Sequence, residues 1–193
     1  PMIEARGRRG VGVWQPQMQL ATAWINLGQV EPARALLAVL ETRFLGLPNN
    51  DTSAANHLMR LARLRLRLGD AGIAERNARA AVDRARTRTP PDALVEATCN
   101  SVGAVARWRG GGVRSAVLAE LDSALAVMGK EAPEDADTMW AQAQRNVIGA
   151  DCQAMGDHLP AVLERLRALP ITQDAGRRTL QELAKDAAAA FST

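Results

Sequence analysis

A glycine-centred turn recurs along the chain at an almost constant spacing, and this repeat limits the possible folds more than any other feature. The turns are centred on Gly28, Gly69, Gly111 and Gly156, which lie 41, 42 and 45 residues apart. Each glycine ends one helical pattern of apolar residues and precedes another, and glycine readily adopts the positive φ that closes a helix C-terminus. Such a period is typical of proteins that stack one supersecondary unit several times.

Small residues also repeat at fixed distances from the turn glycines. The position five residues after each glycine and the position seven residues before it are small in all four units. These residues are Ala33, Ala74, Ala116 and Ala161 after the turn, and Ala21, Ala62, Ala104 and Gly149 before it. The position twelve residues after the glycine is small in three units, at Ala81, Ser123 and Ala168. Because antiparallel helices approach closely only where facing side chains are small, the pattern predicts tightly packed helix pairs.

The composition agrees with an all-α chain. Alanine, the strongest helix former, accounts for 37 of 193 residues, whereas aromatic residues make up only 3% and tyrosine is absent. Prolines fall between the units, where helices must stop, at Pro48, Pro90, Pro91, Pro133 and Pro170. The predicted helices span about 16–27, 31–45, 53–68, 71–87, 92–109, 113–129, 135–155, 158–168 and 174–190. A four- or five-helix bundle would use the same helices, but it would not require matched small positions in a repeat.

The segments Gly28–Ala33 and Gly69–Ala74 resemble the turn into the second helix of the tetratricopeptide repeat. The usual form of that repeat has about 34 residues, and the longer spacing here is similar to the kinesin-light-chain-like form of bacterial regulators. Residues 129–136, which lead to the fourth turn, resemble that form most closely. The resemblance covers about residues 14–170, with Trp24 and Trp108 at positions comparable to the family's tyrosines. It implies an all-α, right-handed superhelix (solenoid) of about four helix pairs with a C-terminal capping helix.

This organisation divides the chain into a leader, four repeats and a cap. Residues 1–13, which are rich in glycine and arginine, are predicted to form a flexible basic leader or linker. The repeats span about 14–46, 52–89, 91–130 and 134–169, and residues 171–193 form the capping helix and tail. The first repeat lacks an N-terminal cap, so we expect either a preceding domain or a homo-oligomer at that end.

The sequence contains no arrangement typical of catalysis or metal binding. His57 and His158 have no cysteine or acid at a metal-ligand spacing. Cys99 and Cys152 are predicted to lie on different helices, at levels about 12 Å apart along the helix axis. Because this distance is too long for a disulfide, both are predicted to be free, buried thiols. The run Gly110–Gly112 lacks the lysine and the preceding strand of a phosphate-binding loop. We therefore expect a protein that is not an enzyme and that uses neither a metal nor a cofactor.

Positive charge is concentrated in one segment of the chain. Residues 55–90 hold nine arginines and three acidic residues, whereas residues 120–193 hold twelve acidic and seven basic residues. Arg60, Arg63 and Arg67 share one face of the predicted third helix through their i, i+3, i+7 spacing. Such a face either binds an acidic ligand or is only a solvated surface whose arginines pair with acids of neighbouring repeats.

The resemblance also implies where a ligand would bind. In the tetratricopeptide family the first helix of each pair lines the concave face of the superhelix, and the matching positions here combine arginine, asparagine, methionine and tryptophan. Arginine binds carboxylates in a bidentate manner, and methionine and tryptophan accept an apolar anchor. The candidate ligand-binding residues are Asn56, Met59, Arg60, Arg63, Arg67, Ser101, Val105, Trp108, Arg109 and Asn146.

These features predict a protein–protein interaction module that binds an acidic peptide or partner protein on the concave face. The alternative is the C-terminal sensory or regulatory region of a larger bacterial signalling protein, a serine/threonine kinase or transcription regulator, that acts within its parent chain or by self-association. Nucleic acid is a poorer partner, because the net charge is only +3 and aromatic residues are few. No apolar run approaches the roughly 18–20 residues that span a membrane, and the lack of a signal peptide favours the cytoplasm.

Overall fold

The computed structural model describes residues 11–48, 51, 53–149 and the single positions 160, 161, 164 and 168, with only the backbone of residues 11–13. Every regular element in this part of the chain is an α-helix, which confirms the all-α prediction. The helices are α1 (Val11–Asn26), α2 (Val30–Leu45), α3 (Ala54–Arg67), α4 (Ala71–Arg86), α5 (Ala93–Arg109), α6 (Arg114–Glu131) and α7 (Ala136–Gly149).

The predicted helix boundaries agree with the structure to within two residues for α2 to α6. Helix α1 begins at Val11, five residues earlier than predicted and inside the predicted leader, and Pro16 removes one backbone donor without ending the helix. The predicted turn at Gly156 and the capping helix over 174–190 lie outside the described residues. Ala161 and Ala168, which were expected to line the fourth helix pair, are exposed.

Three of the four turn glycines lie in the described residues, and all three adopt the predicted left-handed conformation. Their φ angles are +72° at Gly28, +77° at Gly69 and +88° at Gly111. In each turn the N–H after the glycine donates to the carbonyl oxygen four residues before the glycine, at 2.8–2.9 Å. The glycine N–H itself donates to the carbonyl three residues before it, at 3.0–3.1 Å. This pair of bonds is the Schellman motif, which satisfies carbonyls that a helix end leaves open.

The third turn is one residue longer than the first two, and this shifts the register of α6. Helices α2 and α4 begin two residues after their turn glycine, whereas α6 begins three residues after Gly111. As a result Val117 and Ala124 are buried, whereas Ala116 and Ser123 are exposed. The prediction that Ala116 and Ser123 line the helix contact is therefore wrong by one position, because one inserted residue turns a helix by about 100°.

Each helix packs against its neighbours in sequence, and the odd-numbered helices also contact one another in the order α1, α3, α5, α7. Helices α3 and α5 are the most enclosed, with ten buried residues in α3 and nine in α5 between Ala97 and Ala106. The largest fully buried side chains come from α2, α3, α5 and α6: Phe44, Leu37, Leu40, Leu58, Leu61, Leu121, Met128, Val102, Val105 and Val117. None of the described helices is long and apolar enough to cross a membrane.

Substitutions of Gly112 in the third turn and of Gly129 in α6 are expected to have opposite effects on stability. A Cβ atom on Gly112 would lie 2.8 Å from the carbonyl oxygen of Arg107, whereas a Cβ atom on Gly129 in α6 would meet no atom within 4 Å. We expect Gly112→Ala to lower the free energy of unfolding by about 1–3 kcal/mol. Gly129→Ala is expected to raise it by about 0.5–1 kcal/mol, because alanine is the better helix former. Urea unfolding of both variants measures the difference, and a neutral Gly112→Ala would contradict the crowding.

Candidate interaction surface

The ten candidate ligand-binding residues do not form one continuous surface. Five of them are buried in the packing between helices: Met59, Arg63, Ser101, Val105 and Asn146. The Ser101 hydroxyl donates to the carbonyl oxygen of Thr98 at 2.8 Å, and Asn146 Oδ1 accepts from Gln142 Nε2 at 3.0 Å. These polar groups are therefore engaged inside the array, and the five side chains present little surface to a ligand.

Arg63 links α3 to α7. Its Nη1 atom lies 2.5 Å from Oδ1 of Asp137, and its guanidinium lies over the ring of Trp140, 4.5 Å from the ring centroid. Only 10% of the Arg63 side chain and 29% of the Asp137 side chain are exposed. The sequence leaves Arg63 either as a cation for an external ligand or as a partner of an acid in a neighbouring repeat, and the structure pairs it with an acid of this chain.

The other five candidates are accessible, and three of them lie at the same end of the array. Asn56 is exposed and Arg60 is half-buried in the first half of α3. Arg67 is the last residue of α3, and Trp108 and Arg109 are the last two residues of α5.

Arg67 and Arg109 share a register with Asn26, because each lies two residues before a turn glycine. Nη2 of Arg67 donates to Oδ1 of Asn26 at 2.6 Å, and Nη1 of Arg109 donates to the carbonyl oxygen of Leu66 at 3.3 Å. These contacts bring the ends of α1, α3 and α5 into one row, and Trp108, which precedes Arg109 in the chain, is 36% exposed. Asn26, Arg67, Trp108 and Arg109 are named the turn-end strip here. Asn26 is not among the ten candidates, although it holds the matching concave-face position of the first helix.

The arginines of the strip have a favourable electrostatic setting at the ends of their helices. Arg67 and Arg109 lie at helix C-termini, where the partial negative charge of the helix end favours a cation. Most arginines of residues 55–90 form ion pairs inside the chain: Arg63 with Asp137, Arg65 with Glu41 and Asp70, Arg79 with Glu75, Arg86 with Glu96, and Arg88 with Asp92. Much of the positive charge in that segment is thus used in holding helices together.

No family model matches the chain, and neither does any curated protein or solved structure. The function must therefore be inferred from the side chains and from the repeat. Within the described residues, no group of three or more His, Cys, Asp or Glu side chains is placed to hold a metal ion.

Cys99 in α5 and His57 in α3 have surroundings that point to structural roles. Burial raises the pKa of Cys99 to about 12, so its thiol stays protonated at neutral pH. The prediction of a free, buried thiol is confirmed for Cys99, whereas Cys152 and His158 lie outside the described residues. The His57 ring stacks on Phe44 with centroids 4.8 Å apart, and burial holds the pKa of His57 below its ordinary value.

Proposed function

We propose that the chain is a non-enzymatic, tetratricopeptide-like array that binds an acidic segment of a partner protein along the turn-end strip. Two observations support the repeat: the Schellman turns lie 41 and 42 residues apart, and the odd-numbered helices contact one another. Stacked helix pairs of this kind build extended surfaces from residues that recur at one position of each repeat. The turn-end strip is such a surface, because its polar residues share one register.

The observation that carries the proposal is an exposed tryptophan that precedes Arg109 of the strip in the chain. Tryptophan and arginine are the residues most enriched at binding hot spots. The guanidinium of Arg67 or Arg109 presents a fork of N–H donors that matches a carboxylate. Trp108 offers an apolar ring and an indole N–H. A segment that brings a carboxylate to an arginine and an apolar side chain to Trp108 therefore fits the strip.

Titration with acidic peptides tests this proposal directly. The probes are fluorescent peptides rich in Asp and Glu, with reference peptides in which those residues are Asn and Gln. We expect saturable binding of the acidic peptides alone, weakened by added salt because exposed charges are screened. The Arg67→Glu/Arg109→Glu variant is expected to bind on the order of 100-fold more weakly, and Trp108→Ala about tenfold more weakly.

The matched control is Arg76→Glu/Arg79→Glu, which makes the same change of charge at exposed positions of α4. It is expected to keep the affinity of the wild type. Thermal unfolding of each variant verifies that the helices remain folded. Equal losses in the two charge-reversal variants, or no binding of any acidic peptide, would contradict the proposal.

A further inference from the structure

Helix α3 packs one edge against the helix before it in sequence. The imidazole of His57 stacks on the ring of Phe44 in α2, and Nη2 of Arg65 lies 3.2 Å from Oε2 of Glu41 in α2. Leu61 lies between His57 and Arg65 on the same edge, at i+4 from the first and i−4 from the second, and it is fully buried. Leu61 stands eight residues before the turn glycine of its helix.

Helix α5 uses the same edge to pack against α4. Gly103 lies eight residues before the turn glycine and Gly110 lies one residue before it. A Cβ atom on Gly103 would lie 3.5 Å from the Cβ of Ala78, and a Cβ atom on Gly110 would lie 4.0 Å from the Cβ of Ala71. The positions eight residues and one residue before the turn glycine therefore mark the edge that meets the preceding helix.

In α1 the same edge is apolar and exposed. The two positions are occupied by Leu20, which is 44% exposed, and Leu27, which is 72% exposed. Val39 of α2 holds the position of Ala80 in α4, eleven residues after the turn glycine. Ala80 packs against the core, whereas Val39 is 47% exposed. The first helix pair thus exposes three apolar residues, and two of them, Leu20 and Leu27, have the register of a helix contact.

Helix α1 is also free of charge along its whole length. Each of the other six described helices carries Asp, Glu, Lys or Arg, whereas Val11–Asn26 contains none. Loss of charged residues is typical of interface cores, while the solvent face of a helix is ordinarily polar and charged. An uncharged face meets its own copy without like-charge repulsion, which suits a two-fold contact, where one patch appears on both sides.

We propose that the edge formed by Leu20, Leu27 and Val39, the α1 edge, is the two-fold interface of a homodimer. The face of α1 and α2 has a suitable size. Each helix has 16 residues, which is about 24 Å in length, and two helices side by side are about 20 Å wide. The projected face is therefore on the order of 500 Å², or about 1,000 Å² for the two partners together, which is at the lower limit of specific interfaces.

Sedimentation velocity over a series of protein concentrations tests the dimer. We expect a reversible monomer–dimer equilibrium for the wild type. In a two-fold interface each substitution occurs twice, so Leu20→Arg brings two buried arginines into one contact. The dimer dissociation constant is expected to rise on the order of 100-fold in Leu20→Arg, and Leu27→Arg is expected to act in the same direction.

Val113 provides the matched control, because it is a 70% exposed aliphatic residue in another turn between an odd-numbered and an even-numbered helix. Val113→Arg is expected to leave the dissociation constant unchanged. All three positions are exposed, so the variants should keep the thermal stability of the wild-type monomer. A wild type that is monomeric at every concentration would overturn the proposal and leave the α1 edge to a helix of another protein. A dimer that survives Leu20→Arg, or that Val113→Arg weakens equally, would also overturn it.

Discussion

Replacement of Arg63 by alanine is expected to lower the free energy of unfolding by about 3–5 kcal/mol. The substitution removes the cation that lies 2.5 Å from Asp137 and that covers the ring of Trp140. The Asp137 carboxylate is then left partly desolvated without that cation, and a surviving charge of this kind is the main cost of breaking a buried ion pair. The contact between α3 and α7 should therefore weaken before the rest of the array does.

Urea unfolding, followed by circular dichroism, measures this effect, and Arg86→Ala is the control. Arg86 also forms an ion pair, with Nε 2.8 Å from Oε1 of Glu96, but its side chain is 59% exposed. Its removal should cost only about 0–1 kcal/mol, because solvent screens an exposed pair. An Arg63→Ala variant as stable as Arg86→Ala would contradict a structural role for Arg63.

The role of Arg63 also decides how binding to this chain should be measured. The sequence groups Arg60, Arg63 and Arg67 on one helix face, so a triple charge reversal is the obvious test of an acidic ligand. That variant would place a glutamate against Asp137. A loss of binding would then reflect a loss of folding and not the loss of a ligand contact. A test at Arg67 and Arg109 avoids the buried ion pair and keeps the two effects separate.

The features that the sequence predicts well are those that depend on neighbouring residues. A Schellman turn needs a residue with positive φ at a helix end, and glycine supplies it within a segment of six residues. Gly28, Gly69 and Gly111 therefore indicate the turns and the helix pairs from the sequence alone. The register of α6 was missed for an equally local reason, because the extra residue after Gly111 is hidden in a run of three glycines.

The features that the sequence predicts poorly depend on contacts between distant residues. The carboxylate of Asp137 lies 74 positions from Arg63 in the chain, so the spacing of arginines on α3 could not show that one of them was already paired. The family resemblance implies that Ser101 lines the concave face, yet the central position of α5 buries it completely. Periodicity gives the face of a helix on which a residue lies, but only the packing of the array decides whether that face meets solvent.

Substitution of methionine for Arg65 is expected to lower the free energy of unfolding by about 3 kcal/mol. The Arg65 side chain is 4% exposed and holds two carboxylates, with Glu41 Oε2 at 3.2 Å and Asp70 Oδ2 at 3.1 Å. Nη2 of Arg34 also binds Asp70, at 2.9 Å. Without Arg65, Asp70 still has Arg34 as a cationic partner, whereas Glu41 loses the cation that neutralises it. The destabilisation is therefore expected at the contact between α2 and α3.

A double-mutant cycle isolates that cost. The four proteins are the wild type, Arg65→Met, Glu41→Leu and the double variant, compared by urea unfolding. The double variant is expected to lie within about 1 kcal/mol of the wild type, because apolar residues of similar volume often replace a buried ion pair without loss. The coupling free energy should then be about 2–3 kcal/mol, well above the value for an exposed pair.

The outcome of the cycle shows what the buried charges between α2 and α3 contribute. If the double variant is as stable as expected, the charges at Arg65 and Glu41 are dispensable as a pair, and the helix contact is held by the stacked rings of Phe44 and His57 and by Leu61. If the double variant is as unstable as Arg65→Met, the loss arises instead at Asp70, whose N–H closes the second turn on the carbonyl of Arg65. The first result would mean that packing is the main determinant of the contact between α2 and α3. The second would mean that the main determinant is the ion pair between Arg65 and Asp70 at the turn.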